Sequence, residues 1–395
     1  MKIRLMIIAA AAAIVCGCVS DHSQASEEFP ILSWGGIPAD KADTLFALAK
    51  ECGFNHHLGL YRAPESLLTA LDAAHRAGIK MIAGHPYIKD STEQAVAALK
   101  DHPALLAYHL KDEPELSDFT WLKSLQDRVA ELDPAHPCYI NLYPNWAWGE
   151  DQYTENIESF ASLFDMSFYS FDHYPVIEVD GRAAVRPEWY RNLEEFSEMA
   201  RRHETPFWGF ALAASHHLGD PFPPAFYPVP TLGQLRMQVF SNLLYGAQGI
   251  QYFTYAGIAD AKTCQKKPEF ELVRKVNSAV KAYEPVFLNC EVLGVWHTGA
   301  DIPSYTKRLE IMPHKKVKSL SFDGEGAVVS LIRNSGRIYL AVQNRDCVNS
   351  ANLEIAFRGK VARLYAEEGE LAFEKFISNE KLINIEPGAV VIFQL

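Results

Sequence analysis

The sequence predicts a (β/α)8 barrel followed by a small C-terminal antiparallel β-sandwich. Two observations lead to this fold class: apolar strand-like runs alternate with helical patterns up to about residue 287, and short alternating strands follow from about residue 288. Strands that alternate with helices form parallel sheets, and eight such units in about 250 residues match the usual size of this barrel. An open doubly wound sheet is the competing fold, but the turn at residues 34–38 lacks a glycine-rich phosphate-binding pattern.

The eight predicted strands are short apolar runs separated by helical patterns. The strands span residues 30–34, 56–60, 79–85, 105–110, 138–142, 166–171, 206–212 and 249–254. The helices span residues 40–52, 64–77, 91–100, 118–132, 154–163, 187–203, 231–245 and 268–283. We therefore expect one barrel over residues 29–287, with the carboxyl ends of its strands forming a single mouth.

Beyond residue 288 the apolar residues alternate over short segments. These segments occupy residues 327–332, 337–342, 353–357, 362–365 and 389–394. Turn sequences separate them, for example at residues 334–336 and 386–388. This pattern is typical of a small β-sandwich, which we expect over residues 288–395.

The N-terminus has the features of a secretion signal. Basic residues at positions 2 and 4 precede an apolar run over residues 5–15, which is too short to span a bilayer in the mature protein. The segment Val15-Cys16-Gly17-Cys18 resembles a bacterial lipobox with Cys18 as the lipidated residue. Cleavage near Ala25 is the alternative.

The resemblance to a lipobox implies how the mature protein is held. We expect residues 1–17 to be removed and residues 18–28 to form a flexible polar tether. A lipid on Cys18 would then hold a soluble barrel at a membrane in the periplasm or at the cell surface. The lipid anchor is the only membrane contact that we expect.

The most informative motif is Lys111-Asp112-Glu113-Pro114, which closes the fourth predicted strand. In a parallel barrel the strand ends form the active site, and Pro114 stops the strand, so Glu113 becomes the first loop residue. Asp112 and Glu115 carry like charges that would raise the pKa of Glu113. Glu113 is therefore the candidate general acid or base, and a surface turn that begins a helix is the alternative.

A second carboxylate, Asp172, closes the sixth predicted strand. The fourth and sixth strands flank one pocket of a barrel, so Asp172 and Glu113 could form the carboxylate pair that sugar hydrolysis uses. A structural turn or an Asx cap is the alternative for Asp172. Asp220 and Asp260, in the loops after the seventh and eighth strands, are further candidates.

The Asp-Glu-Pro motif at residues 112–114 resembles the Asn-Glu-Pro motif of clan A glycoside hydrolases, and the order of barrel and sandwich resembles the family 42 β-galactosidases. The resemblance implies a glycosidase with Glu113 as acid/base. Asp112 replaces the family's asparagine, which usually touches the sugar 2-hydroxyl. These families carry a nucleophilic glutamate on the seventh strand, but residues 206–215 contain no carboxylate. The retaining mechanism therefore does not carry over residue by residue.

Aromatic and polar residues of types that contact sugars are frequent near the other predicted strand ends. Indole and phenol rings combine flat apolar faces with a polar edge, which suits sugar stacking. Packing in the core is the alternative for each of them, and for Trp208 in particular because it alternates within a strand. The candidate substrate-binding residues are Trp34, His85, Tyr87, Asp112, Asn141, Tyr143, Trp146, Tyr174, Trp208, His216, Tyr252 and Tyr255.

The composition argues against several other partners. The net charge is −12, from 37 basic and 49 acidic residues, whereas a nucleic-acid-binding protein presents a basic face. The histidine pairs at residues 56–57 and 216–217 lack supporting ligand spacing, so we expect neither a metal nor another cofactor. The scattered cysteines beyond the signal show no disulfide framework. The sequence leaves the oligomeric state open.

These observations predict a glycosidase that acts by carboxylate acid/base catalysis on a glycan at the cell surface or in the periplasm. An inactive carbohydrate-binding barrel is the first alternative, because the seventh strand lacks a carboxylate. A lyase that uses tyrosine or histidine as its base is the second, since one barrel fold hosts many chemistries. The sugar and the linkage remain open.

Overall fold

The computed structural model of this chain describes residues 28–219, 224–367, 369–376 and 381–395. The signal segment, the predicted lipid-carrying Cys18 and most of the tether lie outside the described residues, as does the candidate Asp220.

The first part of the chain folds into a barrel with two added hairpins. Its strands are β1 (Ile31–Trp34), β2 (His56–Leu60), β3 (Lys80–Gly84), β4 (Leu105–Asp112), β5 (Cys138–Asn141), β6 (Tyr169–Phe171), β7 (Val176–Val179), β8 (Arg182–Val185), β9 (Phe207–Leu212), β10 (His216–Leu218), β11 (Ala225–Tyr227) and β12 (Gly249–Phe253). The parallel barrel sheet has the order β5-β4-β3-β2-β1-β12-β9-β6. A parallel bridge between Leu142 and Phe171 brings its two edges together, so the predicted eight-stranded barrel is confirmed.

Helices surround the barrel and bury their apolar faces against it. They are α1 (Ala42–Glu51), α2 (Pro64–Arg76), α3 (Pro86–Asp90), α4 (Thr92–Leu99), α5 (Phe119–Leu132), α6 (Tyr153–Leu163), α7 (Trp189–Arg202), α8 (Leu232–Leu244), α9 (Glu269–Ala282) and α10 (Glu284–Phe287). Within α1, Leu45, Phe46 and Ala49 are buried, as expected for a helix with one apolar face. In the described parts of the chain, no helix combines the length and the apolar character needed to cross a membrane.

Large side chains fill the interior of the barrel. Phe168 and Trp208 stack with their ring centroids 4.0 Å apart. Gly249 on the neighbouring strand makes room for this pair, because a Cβ there would lie 2.5 Å from the Trp208 indole. The interior is therefore a packed core rather than a pore, and a ligand site of this barrel is expected at its mouth.

Two hairpins that the sequence analysis did not predict extend the loops after β6 and β9. β7 pairs antiparallel with β8, and β10 pairs antiparallel with β11. Asp180 and Gly181 connect β7 to β8 with φ values of 51° and 72°. An Asp-Gly pair with two positive φ values is typical of a tight two-residue hairpin turn, so this hairpin had a readable signal.

The rest of the chain forms two antiparallel sheets. Its strands are β13 (Glu291–His297), β14 (Val317–Phe322), β15 (Ala327–Asn334), β16 (Arg337–Asn344), β17 (Ala351–Phe357), β18 (Val361–Glu367), β19 (Glu370–Phe376), β20 (Lys381–Ile385) and β21 (Val390–Gln394). A six-stranded sheet has the order β13-β15-β16-β21-β18-β19, and a three-stranded sheet has the order β14-β17-β20. Their facing apolar side chains form a common core, which confirms the predicted sandwich.

The outer face of the six-stranded sheet packs on the barrel helices. Val328, Ile332 and Ile392 belong to the same buried cluster as Leu235 of α8 and Val276 of α9. The Ser330 hydroxyl also donates a 2.8 Å hydrogen bond to the carbonyl oxygen of Leu244. The sheet therefore covers helices on one side of the barrel.

Candidate functional site

Three carboxyl groups meet at the mouth of the barrel, where β4, β5 and β6 end. Asp112 is the last residue of β4, Glu113 follows it, and Asp172 follows β6. Asn141, at the end of β5, lies opposite Asp112 in the strand register. We call Asp112, Glu113 and Asp172 the acid cluster. Parallel strands deliver their carboxyl ends to one mouth, which is why residues from three strands come together here.

Glu113 has an unusual backbone conformation for a residue that carries a side chain. Its φ is 48°, in the left-handed region, and its amide donates a 2.9 Å hydrogen bond to the carbonyl oxygen of Asn141. Left-handed residues other than glycine cost about 1–3 kcal/mol each and concentrate at functional sites. The chain thus leaves β4 through a strained residue whose amide is still bound to β5.

Glu113 and Asp172 are both held at the end of β5: the Glu113 amide donates to the carbonyl oxygen of Asn141 at 2.9 Å, and the Asp172 amide donates to that of Leu142 at 3.3 Å. Their carboxyl groups lie close enough to influence each other's pKa. Burial and, next, the charge of Asp112 raise the pKa of Glu113 to about 7. Burial and the charges of Glu113 and Asp112 raise the pKa of Asp172 well above its ordinary value. The pair therefore retains a proton near neutral pH.

Two polar side chains hold the acid cluster in position. Asn141 Nδ2 donates a 3.1 Å hydrogen bond to Asp112 Oδ1. The Tyr174 hydroxyl donates to Asp172 Oδ2 at 3.2 Å. Burial of its carboxyl group also raises the pKa of Asp112, although the residue as a whole is exposed. Asn141 thus holds Asp112, and Tyr174 holds Asp172.

A chain of buried hydrogen bonds inside the barrel orients Asn141. The Ser170 hydroxyl donates to Asn141 Oδ1 at 2.8 Å, and Gln251 Nε2 donates to Ser170 Oγ at 2.7 Å. The Tyr139 hydroxyl in turn donates to Gln251 Oε1 at 2.7 Å. Because the amide oxygen of Asn141 accepts from Ser170, its NH2 group must point toward the carboxylates.

Aromatic rings form the floor of the mouth. Trp34 lies edge-on to His109 with ring centroids 5.9 Å apart and lies 5.4 Å from Phe210. Tyr174 stacks on Phe253 at 5.6 Å with an angle of 29° between the rings. Burial lowers the pKa of His109 to about 4, so this ring is neutral near pH 7. The floor therefore offers apolar ring surface beneath a charged cluster.

Four other predicted substrate-binding residues lie around the rim. The Nδ1 atom of His85 accepts a 2.8 Å hydrogen bond from the Tyr87 amide and so caps α3, while the Tyr87 side chain is exposed. Tyr143 hydrogen bonds to Glu115. His216 on β10 lies 5.7 Å from the Phe253 ring. They lie on the loops after β3, β5 and β9.

Trp146, also predicted as a substrate contact, lies in the loop after β5 and packs against a cation. The Arg186 Cζ atom lies 4.4 Å from the centroid of the Trp146 ring. Arg186 follows β8 and also donates a hydrogen bond from Nη2 to the Tyr227 hydroxyl at 2.9 Å. One face of Trp146 is therefore occupied by protein.

The structure places three predicted substrate-binding residues away from the mouth, and this part of the prediction is corrected. Trp208 stacks on Phe168 deep inside the barrel. Tyr252 and Tyr255 are fully buried on the outer side of the sheet, and both pack edge-on against Phe54. The inward-facing positions of β12 are those of Gln251 and Phe253, so Tyr252 points away from the interior.

The structure also bears on the second acid and on metal binding. Asp260 Oδ1 accepts hydrogen bonds from the amides of Lys262 and Thr263, and these bonds lower its pKa. Asp260 thus stabilises its own turn and is not a partner of Glu113. Within the described ranges, no group of three or more His, Cys, Asp or Glu residues is arranged to hold a metal ion.

Sequence reasoning missed the residues that support the site from inside the barrel. Ser170 precedes Asp172 by two positions and Tyr139 precedes Asn141 by two, so each pair shares one face of its strand. A polar residue at an inward position of an otherwise apolar strand, such as Gln251, was a readable signal. Arg186 had no such signal, because its neighbours come from distant loops.

No known family model matches the chain, and no curated protein is significantly similar to it. The structure is similar to a GH29 α-L-fucosidase from Bacteroides thetaiotaomicron, with a TM-score of 0.46 and 11% identity over 93% of each chain. It is similar to an α-fucosidase from Thermotoga maritima, with a TM-score of 0.45 and 9% identity over 90% of this chain and 80% of that one. It is also similar to a GH99 endo-α-mannosidase from Bacteroides thetaiotaomicron, with a TM-score of 0.41 and 10% identity over 63% of this chain and 95% of that one. Values this low assign neither a family nor an activity.

Proposed function

We propose that this protein is a glycoside hydrolase in which Glu113 is the general acid. The observation that carries the proposal is the placement of Glu113 beside Asp112 and Asp172 at the strand ends, where burial and the charge of Asp112 raise the pKa of Glu113 to about 7. A general acid works best when its pKa lies near the working pH, and a glycosidic oxygen must receive a proton as it leaves. Glu113 meets both requirements.

The position of Asp172 beside Glu113 suggests its role. Glu113 follows β4 and Asp172 follows β6, so both carboxyl groups reach the same part of the barrel mouth. Because β9 carries no carboxylate to act as a nucleophile, we assign the attack to water. Asp172 either takes the proton of that water as its base or stabilises positive charge at the sugar carbon.

The residues around the acid cluster are the substrate contacts in this proposal. Asp112 and Asn141 present hydrogen-bonding groups beside the acid, and Tyr174 and Trp34 supply ring surface at the floor. The resemblance to family 42 β-galactosidases rests on the order of barrel and sandwich, and the clan A resemblance rests on the three-residue motif, from which Asp112 departs. His85, Tyr87, Tyr143, Trp146 and His216 are rim contacts in this proposal.

We also propose that the protein is exported and held at a membrane by a lipid on Cys18. The signal-like segment and the lipobox-like cysteine support this location. The substrate would then be a glycan in the periplasm or at the cell surface.

The two alternatives differ in what they predict for turnover. A carbohydrate-binding barrel without activity is favoured by the absence of a carboxylate on β9. A lyase would need a base, but burial raises the pKa of Tyr174 and of Tyr143, which weakens both as bases. Binding without any product would support the first alternative, and an unsaturated sugar product would support the second.

The test compares Glu113→Gln, Asp172→Asn and the wild type on a panel of 4-nitrophenyl glycosides and on unactivated oligosaccharides. Loss of a general acid typically lowers the rate by about 10²–10⁴. Glu113→Gln should lose that factor on unactivated substrates and recover part of it on nitrophenyl substrates, whose leaving group needs little protonation. Glu115→Gln, the same substitution on the same loop, should stay within a few-fold of wild type. Full activity of Glu113→Gln on an unactivated substrate would refute the assignment.

A further inference from the structure

A guanidinium group lies between two aromatic rings at the rim of the barrel mouth. The Cζ atom of Arg186 lies 4.4 Å from the ring centroid of Trp146 and 5.6 Å from that of Tyr227. Trp146 comes from the loop after β5, Arg186 from the loop after β6, and Tyr227 from the hairpin after β9. Three separate loops thus converge on one positive charge, which fixes the plane of the guanidinium.

Arg186 has hydrogen-bond donors that the protein does not use. Its Nε atom is buried without a hydrogen-bond partner, and Nη2 donates only to a neutral phenol, that of Tyr227. Among the described residues no carboxylate lies within ion-pair distance of Arg186, and Glu188 Oε2, two positions further along, is likewise buried without a hydrogen-bond partner. A guanidinium offers five N–H donors in a fixed plane, and buried donors are normally paired. The arrangement lacks an acceptor.

The cation lies close to the acid cluster without neutralising it. Tyr227 lies edge-on to Tyr174 with ring centroids 6.1 Å apart, and the Tyr174 hydroxyl binds Asp172. The charge of Arg186 lowers the pKa of Tyr227, whereas the charges of Asp172 and Glu188 raise it. The rings of Tyr227 and Tyr174 thus connect Arg186 to Asp172, and the Arg186 Nε atom still lacks an acceptor.

We propose that Arg186 binds an anionic substituent, a carboxylate or a sulfate ester, on the glycan that the acid cluster cleaves. The inference rests on the proposed function and adds the substrate class: an acidic glycan. A planar guanidinium binds such groups through two parallel hydrogen bonds, and the flanking rings hold it ready. A chain of net charge −12 with three acids at its mouth repels anions, so an acidic substrate needs a dedicated cation.

The test measures binding separately from turnover. The Glu113→Gln variant is applied to an array of neutral, uronate-containing and sulfated oligosaccharides, and the strongest ligand is titrated by calorimetry together with its neutral counterpart. We expect the strongest ligands to be acidic. Adding Arg186→Gln should lower the affinity for the acidic ligand by at least about tenfold and leave the affinity for its neutral counterpart unchanged. Comparison of the uronate-containing with the sulfated oligosaccharides identifies which anionic group is bound.

Two further variants separate recognition from a structural role. Arg186→Lys keeps the charge but loses the planar fork, so it should retain an intermediate affinity for the acidic ligand. Arg182→Gln removes an exposed arginine from the same hairpin and should leave affinity unchanged. Thermal melting of each variant identifies a folding defect.

Three outcomes would overturn the inference: strongest ligands that are neutral, no binding of any acidic glycan, or equal loss of acidic and neutral ligands in Arg186→Gln. Turnover of acidic glycosides by the wild type is measured in parallel. Selective binding of acidic glycans without turnover would refute the hydrolase but leave the anion site standing. Turnover of glycosides without a preference for acidic ones would support the hydrolase and refute the anion site.

Discussion

Glu113 and Asp172 follow different strands, β4 and β6, yet both donate a backbone hydrogen bond to the end of β5, at Asn141 and Leu142. Their carboxyl groups influence each other's pKa, so the pair loses its protons in two steps that belong to both residues. The pH dependence of turnover should therefore report the pair and its surroundings rather than one isolated acid.

The first prediction concerns the charges around Glu113. The charge of Asp112 raises the pKa of Glu113, whereas that of Lys111 lowers it. The acid form of Glu113 is the active one, so turnover should fall as the pH rises through about 7. Asp112→Asn should move this alkaline limb of kcat/KM to lower pH, and Lys111→Gln should move it to higher pH. Shifts in the same direction would contradict the assignment.

The second prediction concerns the strained backbone of Glu113. Asparagine tolerates the left-handed region better than glutamate, so Glu113→Asn should stabilise the fold by about 1 kcal/mol while removing turnover. A carboxyl whose pKa is raised on folding loses stability as the pH rises from its unfolded value toward about 7. The stability that Glu113→Asn adds, measured by thermal melting, should therefore be larger at pH 8 than at pH 5.

A matched control exists for this prediction at the end of α7. Glu204 has a φ of 52° and is exposed, far from the acid cluster in the chain. Glu204→Asn should stabilise the protein by a similar backbone effect and leave turnover unchanged. A destabilised Glu113→Asn beside a stabilised Glu204→Asn would show that Glu113 contributes to the fold rather than opposing it.

The third prediction concerns Ser170, which we regard as a positioning residue. Ser170→Ala removes the hydrogen bond that orients Asn141 and leaves buried polar groups unpaired, so it should destabilise the fold by about 1–3 kcal/mol. Loss of orientation should also lower kcat/KM by about 10- to 100-fold. Ser330→Ala, which removes a buried hydroxyl outside the barrel, should destabilise without that loss. Equal activity of the two variants would argue against positioning.

The fourth prediction concerns the anchor. Mass spectrometry of the protein from its native membrane should find a lipid on Cys18 as the first residue. Cys16→Ala should keep the lipid, and Cys18→Ala should lose it and release the protein from the membrane. An unmodified chain that begins after residue 18 would contradict the prediction.

The barrel was predictable because its signal is periodic. Each barrel strand is an apolar run closed by a polar or turn-forming residue, and the structure has a strand at each predicted position. The four strands that were missed, β13, β14, β19 and β20, are the edge strands of their sheets, and β19, for example, exposes much of its surface. The division of the chain near residue 288 stays a prediction.

The acid cluster was partly predictable for a similar reason. Glu113, Asp172 and Asn141 each lie at a strand end, and the barrel topology alone brings strand ends together. The left-handed conformation of Glu113 was not predictable, because no glycine or asparagine marks this position in the sequence. Tyr252 and Tyr255 were misassigned because a position near a strand end does not determine whether the side chain faces the barrel interior or the helices outside.

The face that the six-stranded sheet shares with α8 and α9 has a consequence for how the molecule comes apart. Val328, Ile332 and Ile392 belong to one continuous buried cluster with the barrel helices, so separating the sheet would bare that apolar surface to water. Barrel and sandwich should therefore melt in a single cooperative transition. A barrel expressed alone would expose this apolar surface, and we expect it to aggregate rather than to function independently.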